Sequence, residues 1–254
     1  MDGYNHYCPW RTDHTYLRAD AGCVPIAGAQ MLYYLHNHLS VPALAPDWAF
    51  CGGNVDNYTQ SVSGESSTTW DYMLNNSVNI IGCYSSAVLI SDVGIRVGVL
   101  YGNEGSGATM SNLVSVFSHY GIDCSYTSFG PTSNNLIKQS LLDGMPVIMR
   151  AKRSSNASGG HTFIIDGYRR SRVQYTYTYE WVWDILSSPS ILVPPGGRKI
   201  EVTYSSPYIT DYQMNWGWGG YYNDSFFQIS GDWNAGGGNY IYDRAFIYGF
   251  TVAD

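Results

Sequence analysis

Gly22-Cys23-Val24-Pro25-Ile26-Ala27-Gly28-Ala29-Gln30-Met31 opens the first strongly helical part of the chain. Val24, Ala27, Met31, Tyr34 and Leu35 recur at helical spacing. Pro25 fits there because the first helical turn has no intrahelical use for its missing N–H. Gly22 lets the backbone turn tightly just before the helix. Cys23 then stands where unpaired backbone N–H groups and the positive end of the helix dipole favour an anionic sulfur. A cysteine at a helix start is more often simple packing, so its chemistry depends on finding a partner.

Outward from this segment, stretches 87–99 and 110–120 carry helical periodicity, 70–75 is a further candidate, and 134–142 reads as a short helix ended at Gly144. The polar, Ser- and Asn-rich section 52–69 reads as loop. From residue 145 the period changes to two, and 146–151, 161–168, 173–185, 199–204, 212–216, 226–229 and 244–250 read as strands. Helices first and antiparallel strands afterwards predict an α+β, two-lobed fold in one domain, with a helical lobe over 1–144 and a β lobe over 145–254. A cleft between such lobes is a usual place for a site.

His161 follows Ser158-Gly159-Gly160 and opens an apolar strand, sharing a face with Phe163 and Ile165. The glycines leave room for a substrate backbone. Paired with a helix-start cysteine, His161 becomes the group that takes the thiol proton and later protonates a leaving amine. Asp166 lies on the opposite face and is not the third member. Asn215, in Met214-Asn215-Trp216-Gly217-Trp218-Gly219-Gly220, offers a side-chain oxygen that can hold a histidine N–H, shielded by flanking indoles. Its bland alternative is a sharp glycine turn with packed tryptophans. The order Cys, His, Asn is that of papain.

These three segments resemble the streptopain family of bacterial papain-like cysteine peptidases, also described as pyrogenic exotoxin B-like. Asp92-Val93-Gly94-Ile95, and Tyr101-Gly102 through Gly105-Ser106-Gly107-Ala108, are similar to the family's middle section. The resemblance implies a papain-like fold and a secreted or cell-surface endopeptidase of broad specificity, made as a zymogen with an inhibitory pro-segment. It implies Cys23 and His161 as the catalytic dyad, with Asn215 and Trp216 supporting His161. The Cys23 backbone N–H would form part of the oxyanion hole. Gly159, Gly160, Trp218 and Gly237 are expected to meet substrate, Gly237 from the loop Asn234-Ala235-Gly236-Gly237-Gly238-Asn239 that borders the family's cleft. Pro25-Ile26 replaces residues that are usually small. No glutamine closely precedes Cys23, so a side-chain oxyanion donor is unassigned. Segment 169–211 is longer than in streptopain, and the family supplies no role for it.

Within that insertion, 173–185 alternates Val, Tyr, Tyr, Tyr, Trp, Trp and Ile with Gln, Thr, Thr, Glu, Val and Asp. This reads as a hairpin covering the sheet, or as a docking surface. The turn before its return strand is expected around Pro194-Pro195-Gly196-Gly197.

The composition sets limits. Forty-four per cent apolar and 13% charged residues exclude a disordered chain. A net charge of −7 with scattered basic residues argues against nucleic-acid binding. No apolar run is long enough to span a membrane. The start, Met1-Asp2-Gly3-Tyr4, lacks a signal sequence, so the signal and pro-segment are expected outside this chain. Cys8, Cys51, Cys83 and Cys124 leave both disulfides and buried thiols open. His36 and His38 face different ways on a helix, and His6, His14 and His119 read as surface residues. Neither a metal nor a cofactor is expected, and the partner is a protein or peptide substrate. Two other readings remain: a Cys–His amidase or acyltransferase on cell-wall peptides, and a catalytically silent binding protein.

Overall fold

The computed structural model describes residues 3–13, 16–39, 51–55, 58–62, 80–180, 199–218 and 225–253. Helix α1 (Cys23–Leu39) begins at the cysteine itself. α2 (Ile80–Val97) follows, then α3 (Leu113–His119), extended at its start by a 3₁₀ turn, and α4 (Ser133–Leu142). The apolar stripe of α1, with Val24, Ala27, Met31, Leu32 and Leu35, is fully buried. Gly28 is the point of closest approach. A Cβ there would lie 2.7 Å from Leu113 Cδ2 and 2.9 Å from Val93 Cγ1, so α1 is seated against both α2 and α3.

Two departures from the expected order stand out. Residues read as loop include an antiparallel pair, β1 (Cys51–Val55) and β2 (Tyr58–Val62), and β1 also pairs in parallel with β3 (Leu100–Tyr101). A strand, β4 (Ile122–Ser128), also lies inside the expected helical half. It pairs along the edge of the main sheet, so the division at 144 does not separate helices from sheet. The expected helix at 70–75 and the Pro-Pro-Gly-Gly turn lie outside the described residues.

The main sheet adds β5 (Val147–Lys152), β6 (His161–Ser171), β9 (Ile209–Asn215), β10 (Phe226–Gln228) and β13 (Tyr242–Val252). Its order is β10-β9-β6-β5-β13-β4, antiparallel throughout. Period-two alternation divides its side chains between two cores. Ile148, Ile164, Ala245 and Ile247 join the core built by α1, α2 and α3. Their neighbours Met149, Phe163, Ile165 and Phe246 join a second core with Ile137 of α4, Trp216 and Trp233. One sheet therefore carries both halves of the molecule.

The hairpin of β7 (Gln174–Glu180) and β8 (Lys199–Ser205) forms a separate two-stranded sheet. It does not cover the main sheet as a packed layer: Tyr175, Tyr177, Tyr179 and Tyr204 are each about half exposed, at 50–54%. At its base the Val173 carbonyl accepts the Ser206 N–H at 2.8 Å, and the Ser206 hydroxyl accepts the Val173 N–H at 2.9 Å.

Candidate active site

Gly22 has φ +87, and a Cβ there would lie 3.2 Å from the Ser106 carbonyl oxygen. Glycine meets both demands, and the chain turns from it into α1 with Cys23 as first residue. No acidic residue occupies the first turn, and its N–H groups lack intrahelical acceptors. Cys23 is half-buried against the helical core and is a free thiol.

Antiparallel pairing delivers the second group. Because β6 runs against β9, the start of β6 lies beside the end of β9, which brings His161 to the Trp216–Trp218 turn. His161 shares the face of Phe163 and Ile165, as the alternation predicts. Its Nε2 lies 2.8 Å from the Trp216 main-chain oxygen. A carbonyl can only accept, so Nε2 carries the proton and the neutral ring presents Nδ1 as its basic nitrogen. Trp218 stacks on the ring at 4.6 Å, with Trp216 behind at 5.9 Å and Tyr240 tilted at 5.7 Å. This burial lowers the His161 pKa from 6.5 to about 4, assisted by the positive charge of Arg153.

The sequence assigned the histidine N–H to the Asn215 side chain. The structure gives that contact to the Trp216 carbonyl, while Asn215 Oδ1 accepts the Gly217 N–H at 3.1 Å. Asn215 thereby shapes the turn that presents the carbonyl. Gly217 has φ +72, which completes the reversal.

Cys23 and His161 line one open cleft of about 610 Å³ together with Gly159, Gly160, Trp216 and Trp218. A second groove, of about 500 Å³, also reaches Cys23 and continues past Ser106, Thr109 and Arg150. Gly237 is not among the residues lining either groove. It sits in the turn between β11 (Asn234–Ala235) and β12 (Gly238–Asn239), where its neighbour Gly236 packs on Trp218. Sequence reasoning passed over Tyr4, Asn5, Asp20, Arg153 and Tyr240, which also line the first cleft. They lie far apart in the chain and carry no motif.

Among the described residues Cys124 is the other half-buried free thiol, with its pKa raised to about 12, chiefly by burial, so it stays protonated. His38 stacks on Tyr34 at 3.9 Å. Among the described residues, no cluster of three His, Cys, Asp or Glu could hold a metal, and no helix is long and apolar enough to cross a membrane.

Comparison with known proteins bears on this geometry. The sequence profile described as the Peptidase C10 family matches residues 1–188, a span that includes both Cys23 and His161. The chain belongs to the peptidase C10 family. This is the streptopain family, and the chain is accordingly a cysteine peptidase, as its motifs led one to expect. Among solved structures, active interpain A, a cysteine protease of Prevotella intermedia, superposes with a TM-score of 0.62 at 20% identity. That match covers 98% of this chain and 91% of interpain A. A prointerpain A fragment from the same organism gives a TM-score of 0.53 at 19% identity, covering 98% of this chain and 69% of the fragment. These likenesses establish the papain-like α+β fold. No curated protein sequence matches the chain significantly.

Proposed function

We propose that this C10 peptidase is an endopeptidase that cuts protein substrates through Cys23, with His161 as general base. The observation that carries the reading is the His161 Nε2–H bond to the Trp216 carbonyl, which leaves Nδ1 as the basic nitrogen in the cleft that Cys23 lines. Nδ1 takes the thiol proton as sulfur attacks the peptide carbonyl. The Cys23 backbone N–H, at the start of α1, faces the charge that develops on the carbonyl oxygen. His161 then protonates the leaving amine, and in the second half-reaction it activates the water that releases the acyl-enzyme. Asn215 holds the turn, and the Trp216 and Trp218 indoles keep water from the His161 bond.

The direction of the substrate follows from the proton. The amine must leave toward His161, so the leaving peptide occupies the groove that His161 and Trp218 line. The acyl part then lies in the groove past Ser106 and Thr109. Gly159 and Gly160 border both and let the substrate backbone pass. We further propose export from the cell and synthesis behind an inhibitory pro-segment. The family supports this, as does the likeness to a prointerpain A fragment.

The test is hydrolysis of unstructured casein under reducing conditions by wild type, Cys23→Ala and His161→Ala, with an epoxysuccinyl adduct mapped by mass spectrometry. Activity in wild type alone, with the adduct on Cys23, is the expected outcome. A labelled Cys23 without casein cleavage would favour the amidase reading. Neither activity nor label would overturn the assignment.

A further inference from the structure

Arg153 occupies the wall of the His161 groove and, beyond its charge helping to lower the His161 pKa, has no assigned role. Its Nε donates to the Tyr240 hydroxyl at 2.7 Å, and one Nη donates to the Gly236 carbonyl at 3.3 Å. The seat is shaped for it: a Cβ on Gly238 would lie 2.5 Å from Arg153 Nε, so glycine at 238 leaves the guanidinium its room. Two of five N–H donors are engaged by these neutral acceptors, and the rest are open to a ligand.

Its charge sets it apart from its neighbours. Arg150 and Lys152 share the Asp243 carboxylate at 3.2 and 3.0 Å. Among the described residues, no carboxylate lies within ion-pair distance of Arg153. Asp20, the cleft's own acid, accepts the Asn5 amide at 3.2 Å instead. A guanidinium fixed at two points and lacking a counter-charge, in a cleft of a chain of net charge −7, is a receptor for a carboxylate.

We propose that Arg153 is a specificity residue that binds a carboxylate on the leaving-group side of the scissile bond. This rests on the proposed Cys23–His161 reaction, since that reaction places the leaving peptide in the His161 groove. The carboxylate has two chemical sources: an acidic side chain a few residues beyond the cleaved bond, or the free C-terminus of a short substrate. Arginine suits both because its planar fork donates to two carboxylate oxygens at once.

The experiment uses internally quenched peptides in matched pairs, Glu against Gln at each of the first three positions after the cleaved bond, all C-terminally amidated. A further pair compares a free with an amidated C-terminus. A peptidyl aminocoumarin, which has no residues on the leaving side, reports the underlying reaction. Wild type is expected to favour one acidic or free-acid member by about tenfold in kcat/KM, the scale of a charge-assisted bond. Arg153→Gln should reduce that ratio to near one, and Arg153→Glu should reverse it toward a Lys-containing peptide. A preference confined to the free C-terminus identifies the terminal carboxylate as the source. Wild-type turnover of the aminocoumarin with every ratio at one overturns the Arg153 assignment alone. No turnover of any substrate overturns both it and the reaction beneath it. Wild-type ratios at one overturn the assignment even where a variant fails to fold, and an acidic preference kept in a folded Arg153→Gln overturns it too.

Discussion

The Trp216 carbonyl holds the Nε2–H of His161 at 2.8 Å, so the histidine tautomer is set by the main chain. Asn215 acts one step away, through the Gly217 N–H. Asn215→Ala should therefore cost only about tenfold in kcat/KM, the scale of one lost turn-forming hydrogen bond. His161→Ala should cost 10³-fold or more, on the order of losing a triad member. Equal losses in steady-state assays would show that the Asn215 side chain, and not the carbonyl, orients the ring.

Stability should depend on pH through His161. Burial, aided by Arg153, lowers its pKa to about 4 from 6.5 in the unfolded chain. Between these values the unfolded chain binds the extra proton and the folded one does not. The contribution is fully present above pH 6.5 and is lost as pH falls toward 4, by roughly 3 kcal/mol. Urea titrations at pH 7 and 4.5 should show a smaller pH effect in His161→Gln than in wild type. An identical pH effect in both would remove His161 as the cause.

Gly22→Ala combines a positive φ with a 3.2 Å approach to the Ser106 carbonyl. The strain falls on the residue before Cys23. Epoxysuccinyl labelling of Cys23 should slow by about tenfold or more, on the order expected when a reacting group is displaced. Tm should fall by only a few degrees. Unchanged labelling would mean that the α1 start tolerates the shift.

At Gly28 the cost should appear in stability. An alanine Cβ must displace Leu113 and Val93, which lie 2.7 and 2.9 Å from its position. Overpacking of this kind costs about 1–3 kcal/mol. Denaturant midpoints for Gly28→Ala would measure it, and a midpoint equal to wild type would show that the three helices can part without penalty.

Removal of the β7–β8 hairpin should have little effect on the fold. Joining Arg172 to Pro207 by a short glycine linker deletes strands whose tyrosines are half exposed and whose pairing is separate from the main sheet. Tm should stay within about 3 °C of wild type, since none of the described hairpin residues belongs to either core. A larger drop would show the insertion to be part of the folding unit.

Much of this arrangement was legible along the chain because it depends on local chemistry. The helix from Cys23, the shared face of His161, Phe163 and Ile165, and the approach of the Asn215–Trp218 turn all follow from period and order. Strand β4 was hidden because Ile122–Ser128 is an edge strand with one buried residue, Ile122, and little alternation to read. The substitution of a carbonyl for the Asn215 side chain was hidden for another reason: every residue carries a carbonyl, so sequence cannot show which one points at a ring. Arg153 was invisible because its seat is made by Gly236, Gly238 and Tyr240, more than eighty positions later.

The two faces of the main sheet have a consequence for how this enzyme would fail. Cys23 is anchored to the core on one face, whereas His161 packs with the Trp216 and Phe163 rings of the other. Neither core holds both side chains, so under the proposed reaction a slight slip of α1 over β6 would part sulfur from imidazole while both cores stay closed. Warming should thus silence the enzyme while its spectroscopic signature is still native, and cooling should restore it. For the proposed Cys23–His161 pair the sheet is the shared footing, and inactivation on warming would then be set at that joint, apart from the melting of the protein.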